Sequence, residues 1–254
     1  MGVLKQVLEQ LKHVLLEKLA NTEWVIPKYF DSLWMDGLRV KAFSMLKPKP
    51  GWIVLDVGCG DGWSTIQNAL VYDYVFFLGI DMYEAEEAYE NAKLFNLSKC
   101  GFIQGDIYTV NFRRAFDVIM FFLSLGNICS GEKHMFSLFI KIKNFLKYKG
   151  KLLIVEPFQE DFEEFEKLDA IYEISGIKGV GEENETILSF KDVATTLKNV
   201  GFNITKITKY IFSWSVSKEE FLEYFGLKEL PLRIKNFYFR DKPKKVTIIV
   251  ARRQ

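Results

Sequence analysis

Apolar residues at Val3, Val7, Leu8, Leu11, Val14, Leu15 and Leu19 recur at helical spacing and predict an amphipathic helix over 3–20. A second helical region, roughly 31–46, ends at Lys47-Pro48-Lys49-Pro50-Gly51, a run that punctuates the chain. From Trp52 the rhythm changes. Short runs, apolar on both faces, occupy 52–57, 74–80, 101–105, 116–122 and 150–155, the pattern of buried parallel strands. Helical stretches over 62–71, 83–95 and 132–147 alternate with them. Such alternation implies right-handed βαβ crossovers and a doubly wound α/β sheet. Residues 1–50 are expected to form an N-terminal helical cap, and 51–254 the main domain.

The alternation breaks after Glu156-Pro157. Residues 158–188 are acidic, with Phe158, Phe162 and Phe165 spaced for one helical face. Ser189 followed by Phe190-Lys191-Asp192 predicts a capped helix through Asn199, which Gly201 ends. A strand follows over 202–212, then an insertion over 213–243 in which Ser217 and Glu220 form a capping box. The last strand covers 245–251. The stretches 157–188 and 213–243 are read as insertions after the fifth and sixth strands.

Three acids fall at strand ends. Asp56 precedes Val57-Gly58-Cys59-Gly60-Asp61-Gly62, a strand running into a glycine-rich turn and then a helix. Glycines let the backbone turn tightly and let a ligand approach without a Cβ in the way, and N–H groups at the helix start can receive an acceptor atom. Asp81, before Met82, ends the second strand, where a carboxylate can accept ribose hydroxyls. Asp106, before Ile107, follows the third strand, where an acid can accept an exocyclic amine while Ile107 covers a ring. In open α/β sheets these strand ends line the ligand crevice.

With these residues in order, the chain resembles the class I S-adenosylmethionine-dependent methyltransferases. Leu55-Asp56-Val57-Gly58-Cys59-Gly60-Asp61-Gly62 matches their first motif, Asp81 the acid of the second, and Gly105-Asp106-Ile107 the adenine-side motif. Phe116 to Phe122 matches the fourth strand and Gly150 to Ile154 the fifth. The resemblance covers about four-fifths of the chain. It implies a mostly parallel seven-stranded sheet with a reversed last strand. It implies S-adenosyl-L-methionine as co-substrate, held by Asp56, Gly58, Cys59, Gly60, Asp61, Asp81, Met82, Asp106, Ile107 and Phe122. Tyr29, Trp34 and Asn127 are then the acceptor-side candidates. Methyl transfer from a sulfonium needs positioning more than acid–base chemistry, so no catalytic residue is assigned. A dinucleotide site fits less well, because the third glycine of its fingerprint is here Trp63.

The loop after the fourth strand, Phe122-Leu123-Ser124-Leu125-Gly126-Asn127, lacks the Asn/Asp-Pro-Pro-aromatic run of enzymes methylating exocyclic amines. It also lacks the Pro-Cys pair of cytosine C5 enzymes. A small-molecule acceptor is therefore the first expectation. An RNA or protein acceptor, using the basic run Arg233, Lys235, Arg240, Lys242, Lys244 and Lys245, is an alternative, as is cofactor binding without catalysis.

Composition narrows the setting. The 254 residues are 49% hydrophobic and 26% charged, a globular profile. Lys+Arg 34 against Asp+Glu 33 leaves +1, less basic than proteins ruled by nucleic-acid electrostatics. Three cysteines and two histidines without metal-ligand spacing predict no metal site. Sparse cysteines, no signal-peptide pattern and no long apolar run predict a cytoplasmic protein without a membrane partner. Cys59 is read as packing, and His134 as solvated or capping. Oligomeric state is left open.

Overall fold

The computed structural model describes residues 38–129, 131–161, 188–213 and 243–254. The expected helix over 3–20, Tyr29, Trp34, Phe162, Phe165 and the capping box at Ser217 lie outside the described residues.

The strands are β1 (Ile53–Val57), β2 (Phe76–Asp81), β3 (Cys100–Gln104), β4 (Phe116–Phe122), β5 (Leu146–Glu156), β6 (Phe202–Ser213) and β7 (Pro243–Arg253). They form one sheet in the order β3-β2-β1-β4-β5-β7-β6. Pairing is parallel from β3 through β5, whereas β7 runs antiparallel to both β5 and β6. This is the seven-stranded, reversed-last-strand sheet that the resemblance implies. The helices are α1 (helical over 38–44), α2 (Trp63–Val71), α3 (Ala85–Lys93), α4 (Leu125–Ile128), α5 (Glu132–Phe145) and α6 (Phe190–Val200).

Because successive strand residues face opposite sides, each strand feeds two cores. Leu55, Val57, Ile119, Phe121, Leu152 and Ile154 pack with Leu138, Phe139 and Ile142 of α5 and Val193 and Leu197 of α6. Val54, Val118, Met120, Leu153 and Val155 pack on the other face with Leu38, Ala42 and Phe43 of α1. Asp56 shares the parity of Val54, so its side chain lies on the α1 side.

Two local details depart from the sequence reading. The helix expected through 147 stops at Phe145, because Leu146 turns extended and pairs with Phe116. Ser189 does not cap α6 with its own oxygen. Its hydroxyl donates to Glu160 Oε1 (3.1 Å), and Glu160 accepts the N–H of Phe190 (2.9 Å) and Lys191 (3.4 Å) instead. A carboxylate is the stronger acceptor for a helix N-terminus. Among the described residues no helix is long and apolar enough to cross a membrane.

Candidate cofactor crevice

The turn after β1 is built on left-handed backbone at Gly58 (φ 68°), Gly60 (φ 54°) and Gly62 (φ 89°). Close approach adds a second constraint at two of them. A Cβ on Gly58 would lie 2.7 Å from Ser124 Cβ, and one on Gly62 would lie 2.8 Å from Ala88 Cβ. At Gly60 the nearest atom is a flexible one, Glu84 Oε2 at 3.3 Å. The N–H groups of Gly58 and Cys59 donate to the Ile80 carbonyl, at 2.8 and 3.2 Å, which seats the turn on β2.

Asp81 locks the turn from the other side. Its Oδ2 accepts Gly60 N–H at 2.9 Å, while Oδ1 accepts Tyr83 N–H at 2.9 Å and Glu84 N–H at 3.1 Å. One lone-pair direction of Oδ2 is left after these bonds. Asp106 takes Tyr108 N–H on Oδ1 at 2.8 Å and shapes its own loop. Its Oδ2 has no partner among the described residues. The Asp61 carbonyl accepts from Asn91 Nδ2 at 2.9 Å, which ties the turn before α2 to α3.

Asp56 is completely buried. The hydroxyls of Ser64 and Thr65, in the first turn of α2, both donate to its Oδ2, Thr65 at 2.6 Å. Its Oδ1 is buried without a partner among the described residues. Burial pushes this carboxyl up to about 6; the two hydroxyls and the Arg39 guanidinium hold it down, and Asp81 raises it. Arg39, itself buried on α1, lies 5.5 Å from the centre of the Phe122 ring, within cation–π range.

The remaining expected residues divide. Cys59 is buried, and burial with the nearby Asp56, Asp81 and Asp61 pushes its thiol far up, so it stays protonated and packs. Phe122 is buried at the tip of β4, Met82 is exposed, and Asn127 is exposed on α4. Ile107 is buried in the α5-side core and offers little surface to a ring. His134 is exposed on α5. The structure thus brings Asp56, the glycine turn, Asp81, Asp106 and Phe122 to the carboxyl ends of four adjacent parallel strands. Among the described residues no group of three or more His, Cys, Asp or Glu side chains is placed to hold a metal.

Sequence reasoning missed Arg39, Ser64, Thr65 and Ser124. Ser124 donates to the Val57 carbonyl at 2.6 Å and ties the β4 loop to the glycine turn. The available signal for Ser64 and Thr65 was two consecutive hydroxyls one residue past the glycines, whereas Arg39 shares its apolar run with Lys41.

A family profile described as a methyltransferase domain matches residues 48–220. Over 132 residues the chain is 34% identical to a ribosomal protein L11 methyltransferase from Caldanaerobacter subterraneus subsp. tengcongensis. That match covers 51% of this chain and 40% of the relative, so the chain spans two-fifths of the curated relative's length. Among solved structures, the cyclase SpnF superposes with a TM-score of 0.61 at 18% identity, covering 85% of this chain and 80% of that one. Geranyl diphosphate C-methyltransferase from Streptomyces coelicolor A3(2), solved with Mg2+, geranyl diphosphate and S-adenosyl-L-homocysteine, gives 0.57 at 14% identity, covering 84% and 80%. These two likenesses bear on the fold. The family profile, which spans most of the chain, carries the assignment: the chain belongs to the class I S-adenosylmethionine-dependent methyltransferases.

Proposed function

We propose that this protein transfers a methyl group from S-adenosyl-L-methionine to a small-molecule acceptor, with the crevice at the ends of β1 to β4 as the cofactor site. The observation that carries the reading is the pair of unpartnered carboxylate oxygens, Asp56 Oδ1 and Asp106 Oδ2, flanking a turn clamped by Asp81. These residues fit the donor. It is a cation bearing an ammonium group, ribose hydroxyls and an adenine amine, and each of those donors matches an acid here.

When bound, the sulfonium supplies an activated methyl group. The chain's own residues bind and orient. Asp81 Oδ2 accepts a ribose hydroxyl through its remaining lone pair, and Asp106 Oδ2 accepts the adenine amine. Asp56 ionises as it meets positive charge, with Ser64, Thr65 and Arg39 keeping the anion in place. Gly58, Cys59, Gly60 and Asp61 supply the close-fitting backbone, and Met82 borders the adenosine, with Ile107 supporting the Asp106 loop from the core. Phe122 closes the floor beside the reacting centre and excludes water.

The acceptor side is assigned to the cap over 1–50 and the insertions 157–188 and 213–243, with Tyr29, Trp34 and Asn127 as contacts. The topology supports this. Both β5 and β6 run parallel to β1, so the chain leaves Asp161 and Ser213 from the crevice end of the sheet. A macromolecular acceptor, protein or RNA, is the second reading, and the named activity of the L11 methyltransferase relative favours the protein form.

Incubation with methyl-labelled S-adenosylmethionine and separate small-molecule, protein and RNA fractions tests the reading. Label in the small-molecule fraction is expected. Label only in protein or RNA overturns the acceptor class, and cofactor binding with no transfer to any fraction points to a non-catalytic binding protein.

A further inference from the structure

The net charge of +1 is unevenly placed. At the end of the sheet opposite the crevice, Lys47 and Lys49 precede β1, Lys149 and Lys151 lie at the start of β5, and Arg252 lies at the end of β7. Lys151 and Arg252 are register partners across the sheet. Their crowding is felt: partial burial and the charges of Lys49, Arg252 and Lys47 all push the Lys151 ammonium below its ordinary value. Among the described residues, two carboxylates at this end take ion pairs of their own, Asp117 with Lys147 at 2.7 Å and Glu90, in the last turn of α3, with Lys93 at 2.7 Å. Lys151 Nζ donates instead to the Leu46 carbonyl at 2.6 Å, and Arg253 Nη1 to the Lys143 carbonyl at 2.6 Å. Carbonyls carry no net charge, so the positive field persists.

Beside these cations is a depression of about 280 Å³ lined by Tyr148, Lys149, Asn203, Arg252, Arg253 and Gln254. Tyr148 is 71% exposed, and Lys149 Nζ lies 5.3 Å from its ring centre. An aromatic face held out among cations is the arrangement on which an unpaired base stacks. The Asn203 and Gln254 amides add both donors and acceptors for a base edge. A duplex keeps its bases stacked inside and has none to place in such a depression.

We propose that this basic face docks a single-stranded polynucleotide, with phosphates on Lys47, Lys49, Lys149 and Arg252 and one base stacked on Tyr148. The face lies at the opposite end of the sheet from the crevice, so it anchors a partner and does not present the acceptor. It stands independently of what the acceptor is.

Fluorescence anisotropy of a labelled oligouridylate of about 12 nucleotides, a length such grooves cover, tests this with the full chain at several salt concentrations. Four neutralised phosphates predict a slope of log affinity against log salt of about −3. The variant Lys47→Glu/Lys49→Glu/Lys149→Glu/Arg252→Glu loses at least about 100-fold in affinity at low salt. Lys49→Glu/Arg252→Glu, at two exposed positions, lowers the slope by about half. Tyr148→Ala weakens binding about tenfold with the slope unchanged. Unchanged S-adenosylhomocysteine binding shows that each variant is folded. The proposal is overturned if wild type shows no salt-dependent binding, or if the double variant binds like wild type. Equal affinity for a blunt duplex or for phosphatidylserine vesicles also overturns it, since charge alone then suffices.

Discussion

Asp56 sits where stability and binding oppose each other. Its carboxyl moves from an ordinary 3.8 to about 6 on folding, chiefly by burial. The folded state therefore binds the proton more tightly than the unfolded chain does. No cost arises below pH 4, a cost grows between pH 4 and 6 as the unfolded group ionises, and it is constant above 6. Two pH units correspond to on the order of 3 kcal/mol. Asp56→Asn is thus expected to raise the melting temperature of the ligand-free protein by several degrees at pH 7 and scarcely at all at pH 4. Calorimetric scans at the two values check it. The same variant should weaken cofactor binding, and wild-type affinity should fall as pH drops below about 6, because a neutral Asp56 no longer attracts a cation. Asp81→Ala removes three backbone clamps together with the proposed ribose acceptor. Its S-adenosylhomocysteine dissociation constant is expected to rise about 10- to 100-fold by equilibrium dialysis. The strand-tip acids were legible because a carboxylate directly after an apolar run has one place to go in a parallel sheet. Arg39 was not: nothing local distinguishes a cation that reaches under Phe122 from one that faces water.

At the scale of elements, close packing of the glycine turn against β2 and β3 sets what is tolerated. A Cβ on Gly79 of β2 would lie 2.7 Å from Cys59 Sγ and 2.6 Å from the Phe102 ring. One on Gly101 of β3 would meet only Leu78 Cδ1, at 3.8 Å. Gly79→Ala is therefore expected to cost about 1–3 kcal/mol in urea unfolding, and Gly101→Ala less than about 0.5 kcal/mol. Equal effects at the two glycines would show that this contact is not tight. The α6 cap follows the same logic across a long sequence gap. Glu160→Ala is expected to destabilise by about 1 kcal/mol, and Ser189→Ala by less, since Ser189 donates to Glu160 and caps nothing itself. Periodicity placed the central strands β1, β4 and β5, because an apolar run buried on both faces has few other uses; β6, largely exposed, was placed by its position after the Gly201 helix end. Periodicity did not place the end of α5 or the cap of α6. The first depends on Leu146 pairing with Phe116, and the second on a carboxylate 30 residues away.

Across the whole molecule, the sheet separates charge. Asp56, Asp81 and Asp106 stand at the carboxyl ends of the parallel strands, while Lys49, Lys149 and Arg252 gather at the other end. A composition of 34 cations against 33 anions conceals this, which is why net charge alone argued against a nucleic-acid partner. The acid end suits a cationic co-substrate, and everything proposed for function rests on its being that site. Isothermal titration calorimetry of the full chain with S-adenosylmethionine, run in parallel on wild type and Asp81→Ala, tests this most directly. One binding site per chain, weakened in the variant, is the predicted result. No heat with wild type, or an unchanged affinity in a folded Asp81→Ala protein, would contradict it.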